Sequence, residues 1–299
     1  MIIISWMDPA ERNVESMRLF ANHSRNWREN LYVYPVISRR AGGLSVGVNL
    51  NPDKACNFDC VYCQVDRTVP PVVRKVDPAI LRDELDHMAA LAAGGELFDD
   101  VQFGHVPEAL RRWNDIAFSG DGEPTASPQF PAAVDIAADI RHKYKAEQVK
   151  LIVITDSTYL TRPAVREALR VLIANNGEIW AKLDAGTEEY YRLVNRPNVP
   201  LSHILQNIRE TAQAWPVVIQ SLWMNVRNSP PPETEVDAFA HRLRDIMEAG
   251  GRFKLIQMHT IARRTAEPWV SPLDKAVLDR LADRVRAVID VPVQTFGSH

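Results

Sequence analysis

The chain runs to 299 residues with only three cysteines, Cys56, Cys60 and Cys63, all within one short stretch. Three thiols allow at most one disulfide, so no disulfide framework holds this fold. Nor is there a fourth cysteine to complete an ordinary four-thiolate iron–sulfur site. Long apolar runs are missing too: none approaches the ~20 residues a membrane-spanning helix requires. Met1-Ile2-Ile3-Ile4 is apolar but ends at Ser5, too short for a signal peptide and without its basic start. Charge of one sign is not in excess either. Lys and Arg number 35 against 38 Asp and Glu, a formal net charge of −3, whereas a nucleic-acid-binding domain usually carries a basic footprint. Arg39-Arg40 and Arg263-Arg264 could each hold a phosphate or carboxylate, but they make no broad RNA surface. There is no internal repeat and no low-complexity linker. Together these features predict a soluble, cytoplasmic protein without a membrane partner.

What is present is a rhythm. From residue 44, short β-rich runs alternate with amphipathic helical stretches. The runs are Leu44–Leu50, Asp115–Ser119, Val149–Thr155, Glu178–Asp184, Val217–Trp223 and Phe253–Thr260. Asp77 caps the first helix with Pro78 in its first turn, and Leu81, Leu85 and Met88 form its apolar stripe. Later stripes include Ala133, Ile136 and Ile140; Val165, Leu169 and Leu172; Ile204 and Ile208; and Val236, Phe239 and Leu243. Six strands each followed by a helix imply parallel βαβ units and an α/β fold. Six units rather than eight predict a partial (β/α)6 TIM-like barrel with short N- and C-terminal extensions. Length alone suggests about two domains, but α/β barrels of this size occur as one unit. The expected boundaries are an extension over 1–36 packed on the barrel, the barrel over 37–265, and a terminal helix and strand over 266–299. The first extension should be helical over Arg12–Arg28 and then extended; the last strand should fall at Val291–Phe296. Gly94–Trp113 reads as an insertion or partial lid, and Pro230-Pro231-Pro232 as a stiff joint.

Two loops carry the chemistry. Cys56-Asn57-Phe58-Asp59-Cys60-Val61-Tyr62-Cys63 follows the first strand, and three thiolates so spaced can grip three corners of a cubane cluster. One iron would stay open for another ligand. A structural zinc site is the alternative, although His23 and His87, the nearest histidines, are distant in sequence. Phe118-Ser119-Gly120-Asp121-Gly122-Glu123-Pro124-Thr125 follows the second strand. Functional loops of α/β barrels leave the C-terminal strand ends, so both segments belong on one rim. Glycine lets backbone carbonyls approach a ligand closely, and Glu123 offers a carboxylate to a cation; a plain turn is the alternative. Thr155, Asp156 and Ser157 end the third strand, as ligand contacts or as a helix cap. Lys182 and Asp184, two apart on the fourth, share a face, as ligand contacts or as a mutual ion pair. Asn225, Met258 and His259, at the ends of the fifth and sixth strands, are candidate pocket linings, with Gln220 and Gln257 inward. Trp180, Trp215 and Trp223 read as core.

C-x3-C-x2-C with an aromatic residue before the last cysteine resembles the signature of the radical S-adenosylmethionine (SAM) superfamily, and SGDGEPT resembles that family's Gly-rich segment. The likeness spans roughly residues 35–265. It implies one [4Fe–4S] cluster on Cys56, Cys60 and Cys63, with SAM chelating the open iron. It also implies reductive cleavage of SAM to methionine and a 5′-deoxyadenosyl radical, which abstracts hydrogen from a substrate. The implied SAM contacts are Tyr62, Gly120, Asp121, Gly122, Glu123, Thr155, Ser157, Lys182, Asp184, Asn225 and Met258. A low-potential donor such as flavodoxin or ferredoxin is implied as partner, and an oxidoreductase- or lyase-type reaction. Ile37-Ser38-Arg39-Arg40, Val48-Asn49-Leu50 and Trp180-Ala181-Lys182-Leu183-Asp184 also look like a branch grouped with wyosine-type tRNA-modifying enzymes. The wyosine synthase carries extra cysteines for a second cluster, and this chain has none to spare. A small, possibly anionic substrate is therefore expected ahead of a tRNA base, with a zinc-stabilised binding barrel as the non-enzymatic alternative.

Overall fold

The computed structural model describes residues 27–38 and 40–297. The expected helix Arg12–Arg28 falls almost wholly outside these residues, as does Arg39. Two faces of one sheet organise everything else. The six expected strands appear as β2 (Gly43–Val48), β3 (Trp113–Phe118), β4 (Lys150–Thr155), β5 (Gly177–Lys182), β6 (Val217–Leu222) and β8 (Phe253–His259). They run parallel to one another, and the sheet is longer than six strands. At one edge β1 (Val33–Ser38) pairs antiparallel with β2, and at the other β10 (Val293–Phe296) pairs parallel with β8. Val291–Phe296 was thus expected as a terminal strand; the sheet role of Val33–Ser38 was read only as an extended approach. A two-stranded ribbon, β7 (Met224–Val226) with β9 (Val270–Pro272), lies outside the main sheet.

The sheet is curled. Strands sit about 4.8 Å apart, so eight laid flat would separate β1 from β10 by about 34 Å. Yet one cavity of about 360 Å³ is lined by Tyr34 of β1, Phe296 of β10 and residues of every strand between them. That geometry is a half-barrel with an open seam, the partial TIM-like barrel expected. Side-chain alternation then gives two cores. Val46, Ile116, Leu151, Val153, Ile179 and Ile219 belong to the large outer core shared with the helices. Ala117, Ile152, Trp180 and Val218 form a separate inner layer, joined by Ile154 and Leu255. Because both faces are covered, β6 is buried at every residue, as parallel strands generally are.

Seven α-helices are described: α1 (Pro78–Gly94), α2 (Phe130–Lys143), α3 (Pro163–Ala174), α4 (Glu188–Asn195), α5 (Leu201–Ala214), α6 (Glu233–Glu248) and α7 (Lys275–Arg286). Asp77 caps α1 by accepting from the Ala79 amide at 2.8 Å, and Gly95 closes it at φ 81°. That left-handed turn favours glycine. Helix α4 was not expected; its eight residues are too few for a clear stripe. Nor is Gly94–Trp113 a lid. Leu97, Phe98, Phe103 and Val106 are buried in the outer core, and the segment contributes nothing to the cavity lining.

Phe118 ends β3 fully buried, edge-on to Phe130 of α2 with ring centroids 5.7 Å apart. Phe118→Ala should destabilise the protein by about 3–5 kcal/mol, read as a lower denaturant midpoint. A midpoint unchanged from wild type would contradict this packing.

Candidate functional site

Parallel pairing of β2 with β3 ends at Val48 opposite Phe118, so the segments that follow leave the same edge of the sheet. They then lock together. The Asn49 side chain accepts from the amides of Asn51 (3.0 Å) and Asp121 (3.1 Å) and donates to the Asp121 carboxylate (2.8 Å). A Cβ on Gly120 would fall 2.9 Å from Asn49 Cα, and one on Gly122 would fall 2.8 Å from Asn51 Cβ and collide with the Ala55 carbonyl. Only glycine allows such an approach. The cysteine loop and the Gly-rich loop are therefore one packed unit.

Cys56, Cys60, Cys63, Gly120, Gly122, Glu123, Asp156 and Lys182 all line the one cavity. The cysteines are free thiols. Burial drives Cys56 up to about 11 and Cys60 to about 12, so these two thiols stay protonated until a metal replaces the proton. Glu123 is 2% exposed. Its carboxylate accepts from Thr155 Oγ1 (2.7 Å) and from the amides of Thr125 (2.9 Å) and Asp156 (2.6 Å). Burial, then the neighbouring Asp156 carboxylate, pushes it up to about 8. Asp156 is shifted upward as well, again chiefly by burial. Its Oδ1 accepts from the Thr158 amide at 2.9 Å, while its buried Oδ2 has no hydrogen-bond partner. Two adjacent buried carboxyl groups, one oxygen unsatisfied, favour a cation at this end of the cavity.

The other expected site residues divide. Tyr62 lines the cavity, and its hydroxyl donates to Asp184. Asp184 is itself saturated: it accepts from Asn195 Nδ2 (2.9 Å) and the Leu222 amide (2.8 Å), and pairs with Lys182 Nζ (3.5 Å). It holds other residues in place and does not line the cavity. Thr155 is fully buried against Glu123. Ser157, at φ 74°, turns its hydroxyl to the Lys182 carbonyl at 3.4 Å. Asp121 faces Asn49. Two placements differ outright from expectation. Met258 pairs with Ser221 and Thr295 on β8, so alternation sends it into the outer core. Asn225 sits in the β7–β9 ribbon, donating to the Pro272 carbonyl at 2.8 Å. Neither lines the cavity, whereas His259 does. Gln220 and Gln257 do face inward, bonded to each other at 2.9 Å.

Sequence reasoning passed over Asn49, Asn195 and the ligand-facing side of Asp156. Asn49 lay within a quoted motif, Asp156 within a capping run; Asn195, in the unexpected helix α4, had no signal at all.

The model of the Radical SAM superfamily matches residues 50–229, more than half of the chain and including all of these loops. The chain belongs to the radical SAM superfamily. A UPF0026 protein of Methanocaldococcus jannaschii is 29% identical over 181 residues, covering 59% of this chain and 46% of that one. The chain spans about half the length of the curated UPF0026 relatives it matches. The structure of Streptococcus suis SuiB bound to S-adenosylmethionine superposes with TM-score 0.58 at 11% identity, over 87% of this chain and 53% of that one; it shares the fold. TYW1 with a lysine–pyruvate adduct bound superposes with TM-score 0.48 at 14% identity, over 91% and 81% of the two chains, a match too loose to bear on substrate.

Radical SAM proteins bind a [4Fe–4S] cluster and SAM, and the residues of this radical SAM protein fit both. Three thiols without a fourth suit a cluster with one open iron. The glycine cradle and the unsatisfied Asp156 oxygen suit an ammonium beside it. Gly122→Ala should displace the cysteine loop. The variant should retain wild-type secondary structure by circular dichroism yet reconstitute less than half the wild-type iron. Full iron uptake would show that the loop contact is dispensable.

Proposed function

We propose that Cys56, Cys60 and Cys63 hold the cluster and that SAM occupies the adjoining part of the same cavity. The carbonyls around Gly120 and Gly122, with Glu123 and Asp156, take the SAM ammonium; Lys182 takes its carboxylate. When bound, the pair supplies reductive cleavage of SAM and a 5′-deoxyadenosyl radical for hydrogen abstraction. The protein's own groups bind, orient and exclude water. Thr155 keeps Glu123 turned toward the cavity, and Asp184 with Asn195 holds Tyr62 beside Cys60 and Cys63. The inner layer of Ala117, Ile152, Trp180 and Val218 provides a dry floor. An oxidoreductase- or lyase-type reaction, fed by a low-potential donor such as flavodoxin or ferredoxin, follows from this reading.

The observation that carries it is the gathering of three thiols, two close-packed glycines, three buried carboxyl groups (Asp115, Glu123 and Asp156) and one lysine around a single cavity. The enclosed volume and the net charge of −3 support a small substrate ahead of a tRNA base. Among the described residues no helix is long and apolar enough to cross a membrane.

Anaerobically reconstituted protein should contain about four iron and four sulfide per chain, and with dithionite and SAM it should release 5′-deoxyadenosine. Alanine at any of the three cysteines should abolish that product. One zinc per chain, or an intact cluster without product, would defeat the proposal. Turnover stimulated by tRNA and lost steeply with salt would move the substrate from small molecule to RNA.

A further inference from the structure

The three sulfurs are not equivalent, and the difference lies in their donors. Cys56 accepts from the backbone of Phe58. Cys60 accepts from the Asn195 amide side chain at 3.5 Å. Cys63 accepts from Nη1 of Arg67 at 3.2 Å, and of these three donors only Arg67 carries a charge. Its Nε also donates to the Lys54 carbonyl at 3.2 Å. Lys54, left-handed at φ 62°, reaches back with Nζ to the carbonyls of Asp66 and Val69, each at 2.7 Å. Asp66 in turn accepts from the amide (2.9 Å) and hydroxyl (2.6 Å) of Thr68. The turn bearing Arg67 is thus pinned on both sides, and the guanidinium is aimed at a sulfur rather than at a carboxylate.

Resting on the cluster reading above, we infer that Arg67 is a positioning residue that sets the reduction potential of the cluster through Cys63. Reduction adds one electron, taken from the low-potential donor, to a group already made anionic by three thiolates. Cluster potentials respond to net charge and to hydrogen bonds on sulfur. A charge-assisted donor favours the more negative, reduced state, so Arg67 raises the potential and eases electron entry. Phe58 gives Cys56, and Asn195 with Tyr62 gives Cys60, only neutral donors. Lys182 acts on Cys60 by its charge rather than by a hydrogen bond, and is divided between Asp184 and the Tyr62 ring face, 5.0 Å from the ring centre.

The test is a redox titration of reconstituted wild type, Arg67→Gln and Arg67→Lys without SAM, followed by the paramagnetic signal of the reduced cluster. At a fixed potential, Arg67→Gln should show a reduced-to-oxidised ratio about tenfold lower than wild type, about 59 mV for a one-electron couple. Arg67→Lys, which keeps the charge and loses the planar fork, should fall less. A Gln ratio within twofold of wild type, at equal iron and sulfide content, would overturn the inference. If Arg67→Gln holds less iron, the ratio is read on its loaded fraction, normalised to iron: a threefold or larger fall supports the role, and a ratio within twofold of wild type overturns it. Wild-type protein that takes up no iron would defeat the cluster reading and this inference with it.

Discussion

The contact between the two loops at the end of β2 and β3 is the constraint on which the site depends. Parallel pairing brings both chains to the same edge, but pairing alone would leave two independent loops. Asn49 supplies the link, spending its oxygen on the Asn51 and Asp121 amides and its nitrogen on the Asp121 carboxylate. With that link made, Gly120 and Gly122 lie so close to Asn49, Asn51 and Ala55 that no side chain fits between them. A residue next to the first cysteine therefore touches the Gly-rich loop directly. Site geometry is inherited from strand register and one asparagine.

Electrostatics then explains why this site favours ligands. Cys56, Cys60, Glu123 and Asp156 are shifted upward, each chiefly by burial. Desolvation penalises a charged form unless an opposite charge arrives. A metal cluster on the thiols would relieve that cost, as would a cation beside the carboxyls. Lys182 and Arg67 both add positive charge beside the cysteine loop. Asp184, bonded to Tyr62 and Asn195, pairs with the first of these.

Much of this was legible in the chain. The six-fold alternation of β-rich and amphipathic stretches placed every barrel strand within about two residues, because both-face burial makes parallel strands uniformly apolar. The cysteines and SGDGEPT stood out because their residue types and spacing are rare. Edge strand β1 was harder to read: an antiparallel partner reached through a tight turn has no following helix to mark it. Met258 and Asn225 were misplaced for a different reason. Met258 falls on the core face because one step of register carries a side chain from cavity to core, and Asn225 lies beyond the main sheet in the β7–β9 ribbon. Asn49 and Asn195 act through hydrogen bonds across long sequence separations, which periodicity does not record.

The central claim is that one cavity brings the open iron and the SAM amino acid end together. Electron–nuclear double resonance on the reduced cluster, with SAM labelled by ¹⁵N in its amino group, tests it most directly. A hyperfine coupling from the labelled nitrogen to the cluster is the result predicted. SAM bound to the reduced protein with no such coupling would contradict it.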